Sequence, residues 1–321
     1  MEKSHDFKKL IRIQALILMV LVFMFSVAGC GLFQPDEETK EQQTGSLNPS
    51  SESDDASETS PFAEDADLLS IDFLQVGKAD CMVMQVEGKV IMIDTGTQTS
   101  VSTVKSFLSA NGIDQIDYMI ITHFDNDHIG GASALIGSLK VGELFLPDYV
   151  RNNDRYRDMM ETAGNNDVAV TRVAEDLTVS GESFRMVINP THLFDGEELN
   201  PDDLEDSVDN DFSLIVTMQF GQTRFLFLGD AEKDRLDEFM ANTTVSVYKV
   251  IKLPHHGDYY KSIKTLLNKS VPKYVVTCID NAENMDASLV TVLSEKGIPS
   301  LLTCQGNIKV LTDGKTLTVS Q

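Results

Sequence analysis

Residues 122–131 read THFDNDHIGG and follow directly on the apolar run YMII at residues 118–121. This order predicts a buried strand that ends in a loop of metal-binding side chains. Unpaired carboxylates and imidazoles are costly to bury, so four of them within six positions need a partner of opposite charge. A divalent cation is such a partner, because imidazole and carboxylate are ordinary ligands of Zn²⁺ and Mn²⁺. The four side chains are His123, Asp125, Asp127 and His128.

Two later apolar segments end in the same way. A hairpin predicted over residues 212–228 leads to Gly229 and Asp230, and a strand predicted over residues 247–253 leads to the sequence PHHG at residues 254–257. Ligand groups gather at the carboxyl ends of strands in α/β sheets. The alternatives are an acidic surface loop with two incidental histidines and a surface histidine pair. Three such motifs in order favour a metal site over both.

These motifs resemble those of the metallo-β-lactamase superfamily, whose usual first motif is H-x-H-x-D-H. Asp125 replaces the second histidine, and this variant is similar to the hydrolase domain attached to ComEC-type competence DNA-uptake channels. The resemblance spans about residues 70–318, with partial matches near Asp80 and at residues 94–96, segments that surround the ligands in the family. It implies an α/β fold, specifically a four-layer αββα sandwich.

The resemblance also implies a dinuclear metal centre with six ligands. It assigns His123 and Asp125 to site 1, Asp127, His128 and His255 to site 2, and Asp230 as the bridge. A third ligand of site 1 is expected before the bridging aspartate, where the candidates are Asn210, His192 and water. Asn210 or water is favoured, because His192 lies in a turn-like context.

The expected cofactors are two divalent ions, Zn²⁺ or Mn²⁺, since oxygen ligands at site 1 shift the preference toward Mn²⁺. A pair of metals offsets the charge that develops on a phosphoryl oxygen, which indicates a phosphodiester substrate, with DNA among the candidates. Asp127 and His256 are the catalytic candidates, His256 as a proton donor to the leaving oxygen or as a phosphate ligand. Four more residues are candidates for positioning substrate or, equally, ordinary surface residues: Lys252, Tyr259, Tyr260 and Lys261.

The sequence is also compatible with two other functions. One is hydrolysis of a different ester, such as a cell-wall phosphocholine ester or a lactone. The other is a binding module that keeps its metals for structure and has no turnover. The sequence indicates no particular protein partner.

The first 67 residues predict export and tethering. Residues 1–30 combine a basic start, an apolar run and small residues before Cys30, which is typical of a lipoprotein signal peptide whose cleavage leaves a lipid on Cys30. An uncleaved membrane anchor is the alternative. Residues 31–67 are polar and acidic and predict a disordered tether. The hydrolase domain is then residues 68–321, outside the cytoplasm and attached to the membrane.

The formal net charge is −24, and the tether accounts for ten of these charges. The domain itself is therefore acidic, which disfavours broad nonspecific adhesion to nucleic acid or anionic lipid. Three cysteines lie in apolar contexts and are predicted as buried thiols, with one disulfide as the alternative: Cys81, Cys278 and Cys304.

The hydrophobic pattern predicts the remaining elements of the domain. Strands are expected over residues 69–76, 81–86, 89–93, 116–122, 143–146, 168–173 and 184–188, and helices over 101–111, 132–139 and 151–162. Residues 190–211 are expected to form an acidic loop.

Overall fold

The computed structural model describes Phe62 and residues 67–321, except residues 203 and 205 and the side chains of 206 and 207. The predicted signal peptide, Cys30 and nearly all of the predicted tether lie outside the described residues. Within the described part of the chain, no helix is both long enough and apolar enough to span a bilayer.

The domain contains fifteen strands and eight α-helices among the described residues. The strands are β1 (Leu69–Phe73), β2 (Met82–Val86), β3 (Lys89–Ile93), β4 (Gln115–Ile120), β5 (Lys140–Pro147), β6 (Ala169–Val173), β7 (Leu177–Ser180), β8 (Phe184–Asn189), β9 (Ile215–Phe220), β10 (Thr223–Phe227), β11 (Val250–Lys252), β12 (Tyr274–Thr277), β13 (Ser300–Leu302), β14 (Ile308–Thr312) and β15 (Leu317–Ser320). The helices are α1 (Val101–Ala110), α2 (Asn126–Ile129), α3 (Ala132–Ile136), α4 (Asp154–Asn165), α5 (Asp206–Asp211), α6 (Lys233–Asn242), α7 (Lys261–Ser270) and α8 (Ala287–Lys296).

The strands form two mixed sheets. Sheet 1 has the order β15-β14-β1-β2-β3-β4-β5-β6, and sheet 2 has the order β13-β12-β11-β10-β9-β8-β7. In sheet 1, β3 to β6 run parallel, and in sheet 2, β10 to β13 run parallel. The other neighbouring strands are antiparallel.

Strand alternation divides the apolar side chains among three core regions. In β10, Phe225 and Phe227 join the cluster between the two sheets, whereas Leu226 packs with residues of α6, α7 and α8. In β3, Ile91 and Ile93 join the same central cluster, and Met92 faces the cluster that includes α1, α3 and α4. Because successive side chains of a strand point to opposite faces, each sheet is buried on both faces. The four-layer αββα sandwich predicted from the sequence is confirmed.

The carboxyl ends of the central strands of both sheets meet at one edge. Leu214, just before β9, donates its backbone N–H to the carbonyl of Thr122 after β4, at 2.9 Å. Gly229, after β10, has a φ of +53°, and a Cβ there would lie 3.0 Å from the Cβ of Thr122. Glycine is therefore required where the two strand ends approach each other. This contact brings the motifs after β4, β10 and β11 together.

Several elements were not predicted from the sequence, among them α2, α5, α6, β7 and the elements after β11. The short edge strand β7 was not predicted, because its side chains are only half-buried or exposed and carry a weak apolar pattern. Helix α5 lies at the end of the segment predicted as loop. Its sequence, DSVDND, has no apolar periodicity from which a helix can be inferred.

Candidate metal centre

Four side chains converge at the edge where the sheets meet. Asp127, His128, Asp230 and His256 each offer one ligand-type atom within 4.8 Å of the others. Asp230 Oδ2 lies 3.2 Å from the Nε2 atoms of both His128 and His256, and His256 Nε2 lies 3.0 Å from Asp127 Oδ2. Asp127 is 30% exposed, whereas the other three are almost fully buried, so the cluster opens to solvent at Asp127.

Hydrogen bonds orient His128 toward this cluster. Its Nδ1 lies 2.9 Å from Asp94 Oδ2, and a carboxylate can only accept, so Nδ1 carries the proton. Asp94 is held in turn by the backbone N–H and hydroxyl of Thr122, both at 2.8 Å. Nε2 of His128 therefore faces Asp230. Burial opposes the charged imidazole, but Asp230 and Asp94 outweigh it and raise the pKa of His128 well above its ordinary value, so Nε2 carries a proton that a bound cation would replace. An acceptor on the second nitrogen is the usual way in which a protein orients a histidine ligand of a metal.

The same reasoning applies to His123. The Thr122 hydroxyl donates to Asp94, so it accepts from His123 Nδ1 at 3.1 Å. His123 Nε2 then carries the free lone pair. This atom lies 3.8 Å from Asp125 Oδ2. Its ring centroid is 4.0 Å from that of His128. The two ligands predicted for site 1 are thus adjacent to the first cluster.

In the structure, the two histidines of the PHHG motif occupy the reverse of the positions that the sequence analysis assigned to them. His256, expected as an acid, is buried in the cluster, with Nδ1 donating to the carbonyl of Cys278 at 2.8 Å and Nε2 facing the carboxylates. His255, expected as a ligand, faces the rim, with Nδ1 3.0 Å from the Tyr260 hydroxyl and 3.6 Å from Glu232. Both residues have positive φ, 45° and 51°, so the chain turns sharply at the pair. Strand periodicity does not predict which histidine faces inward after such a turn.

Asp125 contacts a second acidic group that the sequence did not single out. Asp209 is fully buried, accepts a hydrogen bond from the Tyr149 hydroxyl and lies 2.8 Å from Arg151 Nη1. Burial and the adjoining carboxylate of Asp125 raise the pKa of Asp209 to about 9. Burial and like charge disfavour two ionised carboxylates side by side, and a cation next to them would favour the ionised form.

The two protein candidates for the third ligand of site 1 lie in different places. Asn210 is buried, donates from Nδ2 to Glu232 Oε1 at 3.0 Å, and has no hydrogen-bond partner for Oδ1 within the described residues. His192 instead lies in a half-exposed turn beside Asp195, at 3.2 Å, and lines a separate surface cavity with Arg235 and other residues. The structure thus leaves Asn210 as the protein candidate.

Of the four residues considered for positioning substrate, Lys252 departs most from a surface location. It is fully buried, donates to the Gly229 carbonyl at 2.9 Å and forms an ion pair with buried Asp80. Lys261 is exposed, and Tyr259 and Tyr260 are half-buried. Burial alone would lower the pKa of Lys252, but the charges of Asp80 and Asp230 raise it above its ordinary value, so the ammonium is charged.

Burial and neighbouring charges shift the pKa values of the imidazoles in opposite directions. Burial and the charge of His128 hold the pKa of His123 well below its ordinary value. Burial opposes the charged form of His256 as well, but Asp230 and Asp127 outweigh it and raise the pKa of His256 to about 9. A bound cation would take the place of that proton, because metal binding and protonation compete for the same lone pair.

Several buried ligand-type atoms at this edge lack a hydrogen-bond partner within the described part of the chain. They include His123 Nε2, Asn210 Oδ1 and Asp230 Oδ1. Buried polar atoms are nearly always paired, so such atoms need an explanation. Imidazole, carboxylate and amide oxygen together suit Zn²⁺ and Mn²⁺. The residues present therefore fit divalent metal ions.

The described cysteines take no part in this centre as ligands of the cluster. Cys81 and Cys278 are buried, Cys304 is partly buried, and all three are free thiols. Burial raises the pKa of Cys278 well above its ordinary value, which keeps the thiol protonated.

Comparison with known proteins agrees with the fold and the motifs. The profile of the metallo-β-lactamase superfamily matches residues 74–279. The chain therefore belongs to the metallo-β-lactamase superfamily and has its hydrolase fold. The solved structure of the metallo-β-lactamase fold protein YhfI from Bacillus subtilis superposes with a TM-score of 0.50 at 10% identity, covering 79% of this chain and 100% of YhfI.

Among curated proteins, the chain is similar to competence-related sequences. ComE operon protein 3 of Bacillus subtilis is 26% identical over 225 residues, which cover 64% of this chain and 28% of that protein. Competence protein ComA of Neisseria gonorrhoeae is 23% identical over 220 residues, covering 67% of this chain and 28% of ComA. The alignment thus spans little more than a quarter of either relative. The family resemblance predicted from the three motifs is confirmed.

Proposed function

We propose that this chain is a metal-dependent phosphodiesterase with two divalent ions. The observation that carries this proposal is the convergence of three imidazole Nε2 atoms with aspartates at one edge of the sandwich. Each Nε2 faces the centre because the matching Nδ1 is hydrogen-bonded on the other side of the ring: His123 to Thr122, His128 to Asp94, and His256 to Cys278. A structural ion pair would not require three imidazoles with the same orientation.

The residues divide into two groups that would each hold one ion. The first is the cluster of Asp127, His128, Asp230 and His256. The second is His123 and Asp125, with Asn210 Oδ1 as a further ligand. Divalent ions held there would offset the negative charge that develops on phosphoryl oxygens during hydrolysis.

Substrate is expected to approach on the side of Asp125 and Asp127, which are 27% and 30% exposed. His255 lies at the rim, 22% exposed, with the Tyr260 hydroxyl at 3.0 Å. We assign to His255 the role that the sequence suggested for His256, to hold a phosphate or protonate the leaving oxygen. His256 has both ring nitrogens engaged inside the centre and is assigned as a metal ligand.

DNA is the first substrate to test. The similarity to a protein named for competence supports a nucleic-acid substrate, although that relative is matched over 28% of its length. The acidic domain favours a few local contacts over broad adhesion to the polymer. We further propose that the protein is exported and anchored through lipid on Cys30, as the first 30 residues suggest.

The test is a hydrolysis panel with the purified protein at saturating Mn²⁺ and then Zn²⁺. It contains single- and double-stranded DNA, bis(p-nitrophenyl) phosphate, a phosphocholine ester and a lactone. We expect turnover of the phosphodiesters and its loss with a chelator. Turnover of the phosphocholine ester or the lactone alone would contradict the substrate assignment, and bound metal without turnover of any ester would favour a binding module.

A matched pair of variants tests the exchanged histidines. His256→Gln should lose about a hundredfold or more in kcat together with metal affinity, because it removes a ligand. His255→Gln should retain metal and lose rate alone. The opposite pattern, metal lost from His255→Gln and retained in His256→Gln, would restore the assignment made from the sequence.

A further inference from the structure

We propose that the buried ion pair of Lys252 and Asp80 is a positioning device that sets the orientation of Asp230 toward the metal. This inference rests on the proposed metal centre. It concerns residues that are not ligands and lie behind the cluster, on the side away from solvent. Lys252 is the last residue of β11, and Asp80 precedes β2, so the pair joins the two sheets.

Lys252 contacts one oxygen of Asp230, and the imidazoles contact the other. The ammonium lies 3.6 Å from Asp230 Oδ1, whereas Oδ2 lies 3.2 Å from both His128 and His256. Oδ1 has no hydrogen bond within the described residues, so electrostatic attraction to the ammonium of Lys252 is what stabilises its position. The ammonium thereby leaves Oδ2 directed at the cluster.

Asp80 connects Lys252 to the loop that carries Asp127. Its backbone N–H donates to the carbonyl of Asp127 at 3.1 Å, and its carbonyl accepts from Gly96 at 2.7 Å. Its carboxylate pairs with Lys252 and lies 3.7 Å from His256 Nδ1. Both side chains of the pair are fully buried, so solvent does not screen their interaction.

The same contacts account for the charge of a second group of ligand-type side chains in the core. Asp80, Asp94 and His128 also bring ligand-type atoms within 4.8 Å of one another. Asp94 is already satisfied by Thr122 and His128, and Asp80 has the ammonium of Lys252. This group is therefore balanced by a cation that the chain itself supplies, and we assign no metal to it.

The experiment removes both charges at once. Replacing Lys252 alone leaves Asp80 as an uncompensated buried charge, whereas replacing both with groups of similar shape is far better tolerated. The variant is Lys252→Met with Asp80→Asn. The control is Lys89→Met with Asp117→Asn, which removes an ion pair of 3.0 Å at the opposite end of β3 and β4.

We measure the Kd for Mn²⁺ and Zn²⁺ by competition with a chelator, and the visible spectrum of the Co²⁺-loaded protein. Loss of a group that orients a ligand typically costs about 10- to 100-fold in metal affinity. We expect that loss and a changed Co²⁺ spectrum in the double variant, and neither in the control. The spectrum reports ligand geometry, which a purely structural role of the pair would leave unchanged.

The outcomes distinguish a failure of this inference from a failure of the proposed function. If the wild type binds no metal, the proposed function fails and this inference with it. If the wild type binds metal and the double variant matches it in Kd and spectrum, the inference is overturned while the proposed function stands.

If the double variant does not fold, Asp80→Asn alone replaces it. In that variant Asp230 becomes the remaining carboxylate beside the ammonium, so Lys252 should move closer to it and compete with the metal. We expect a loss of affinity in the same direction, and an unchanged Kd and spectrum would refute the proposal.

Discussion

Replacing Asp230 with Asn tests the proposed chemistry at a single carboxylate. Asp230 is 3% exposed, and its Oδ2 lies 3.2 Å from two imidazole nitrogens. Asn keeps the shape of the side chain and removes its negative charge. The backbone N–H of residue 230 donates to the Ser213 hydroxyl at 3.0 Å and is unaffected by the change. The variant thus alters charge with little change in packing.

The size of the effect follows from removing one negative charge next to the positive charge of the centre, which is imidazolium in the metal-free protein and a bound cation in the loaded one. At an effective dielectric constant of about 20, two unit charges separated by roughly 3.2 Å attract each other by about 5 kcal/mol. The amide dipole recovers part of this, so we expect the measured range for loss of one key electrostatic group, about 2.7–4 kcal/mol. That corresponds to a loss of roughly 10²- to 10³-fold in kcat.

Stability should change much less than rate. In the variant Lys252 keeps its ion pair with Asp80, and His128 and His256 keep Asp94 and Asp127, so each buried cation retains a carboxylate. We expect the metal-free Tm to stay within about 4 °C of wild type, which corresponds to roughly 1 kcal/mol for a domain of this size.

The assay is phosphodiester hydrolysis by wild type and Asp230→Asn at saturating Mn²⁺ and then at saturating Zn²⁺, with bound metal measured in parallel. Saturation separates a loss of rate from a loss of affinity. Equal kcat values in the two proteins would refute the proposed role of this carboxylate. A rate loss that merely tracks a large fall in Tm would refute the claim that the change is electrostatic.

Three further predictions concern folding, metal and anchoring. Gly130→Ala should destabilise the domain by about 1–3 kcal/mol in urea unfolding, because its Cβ would lie 2.3 Å from the Asn126 carbonyl oxygen; Gly164→Ala, with no atom within 4 Å of the new Cβ, is the control and should be neutral or stabilising. An equal loss at both sites would contradict this reasoning. Removing metal with a chelator should lower Tm, and restoring Mn²⁺ at about 100 times its Kd should raise the free energy of unfolding by about 2.7 kcal/mol. A Tm that does not change with metal would argue against binding to the folded state. Cys30→Ser should abolish lipid attachment in cell fractionation with metabolic lipid labelling, whereas unchanged processing and membrane association would favour the uncleaved anchor.

The sequence by itself determined the class of fold and the segments that carry the site. Alternating apolar residues predicted most strands, because a strand buried on one face or both carries a period of two. Ligand-type residues after apolar runs marked 122–131 and 254–257, because uncompensated polar groups rarely stay in a core. Both signals depend on neighbours in the chain, so they are visible without a structure. The family resemblance built on them is confirmed.

Tertiary structure decided which side chains face one another. His256 rather than His255 points into the cluster because two consecutive residues with positive φ turn the chain, and strand alternation does not extend through such a turn. Lys252 could be a surface lysine by sequence alone, since its buried location depends on Asp80, 172 positions earlier in the chain. Asp209 is likewise one acidic residue in an acidic segment until Tyr149 and Arg151 enclose it. Such pairings join residues distant in sequence, so only the packing of the two sheets determines them.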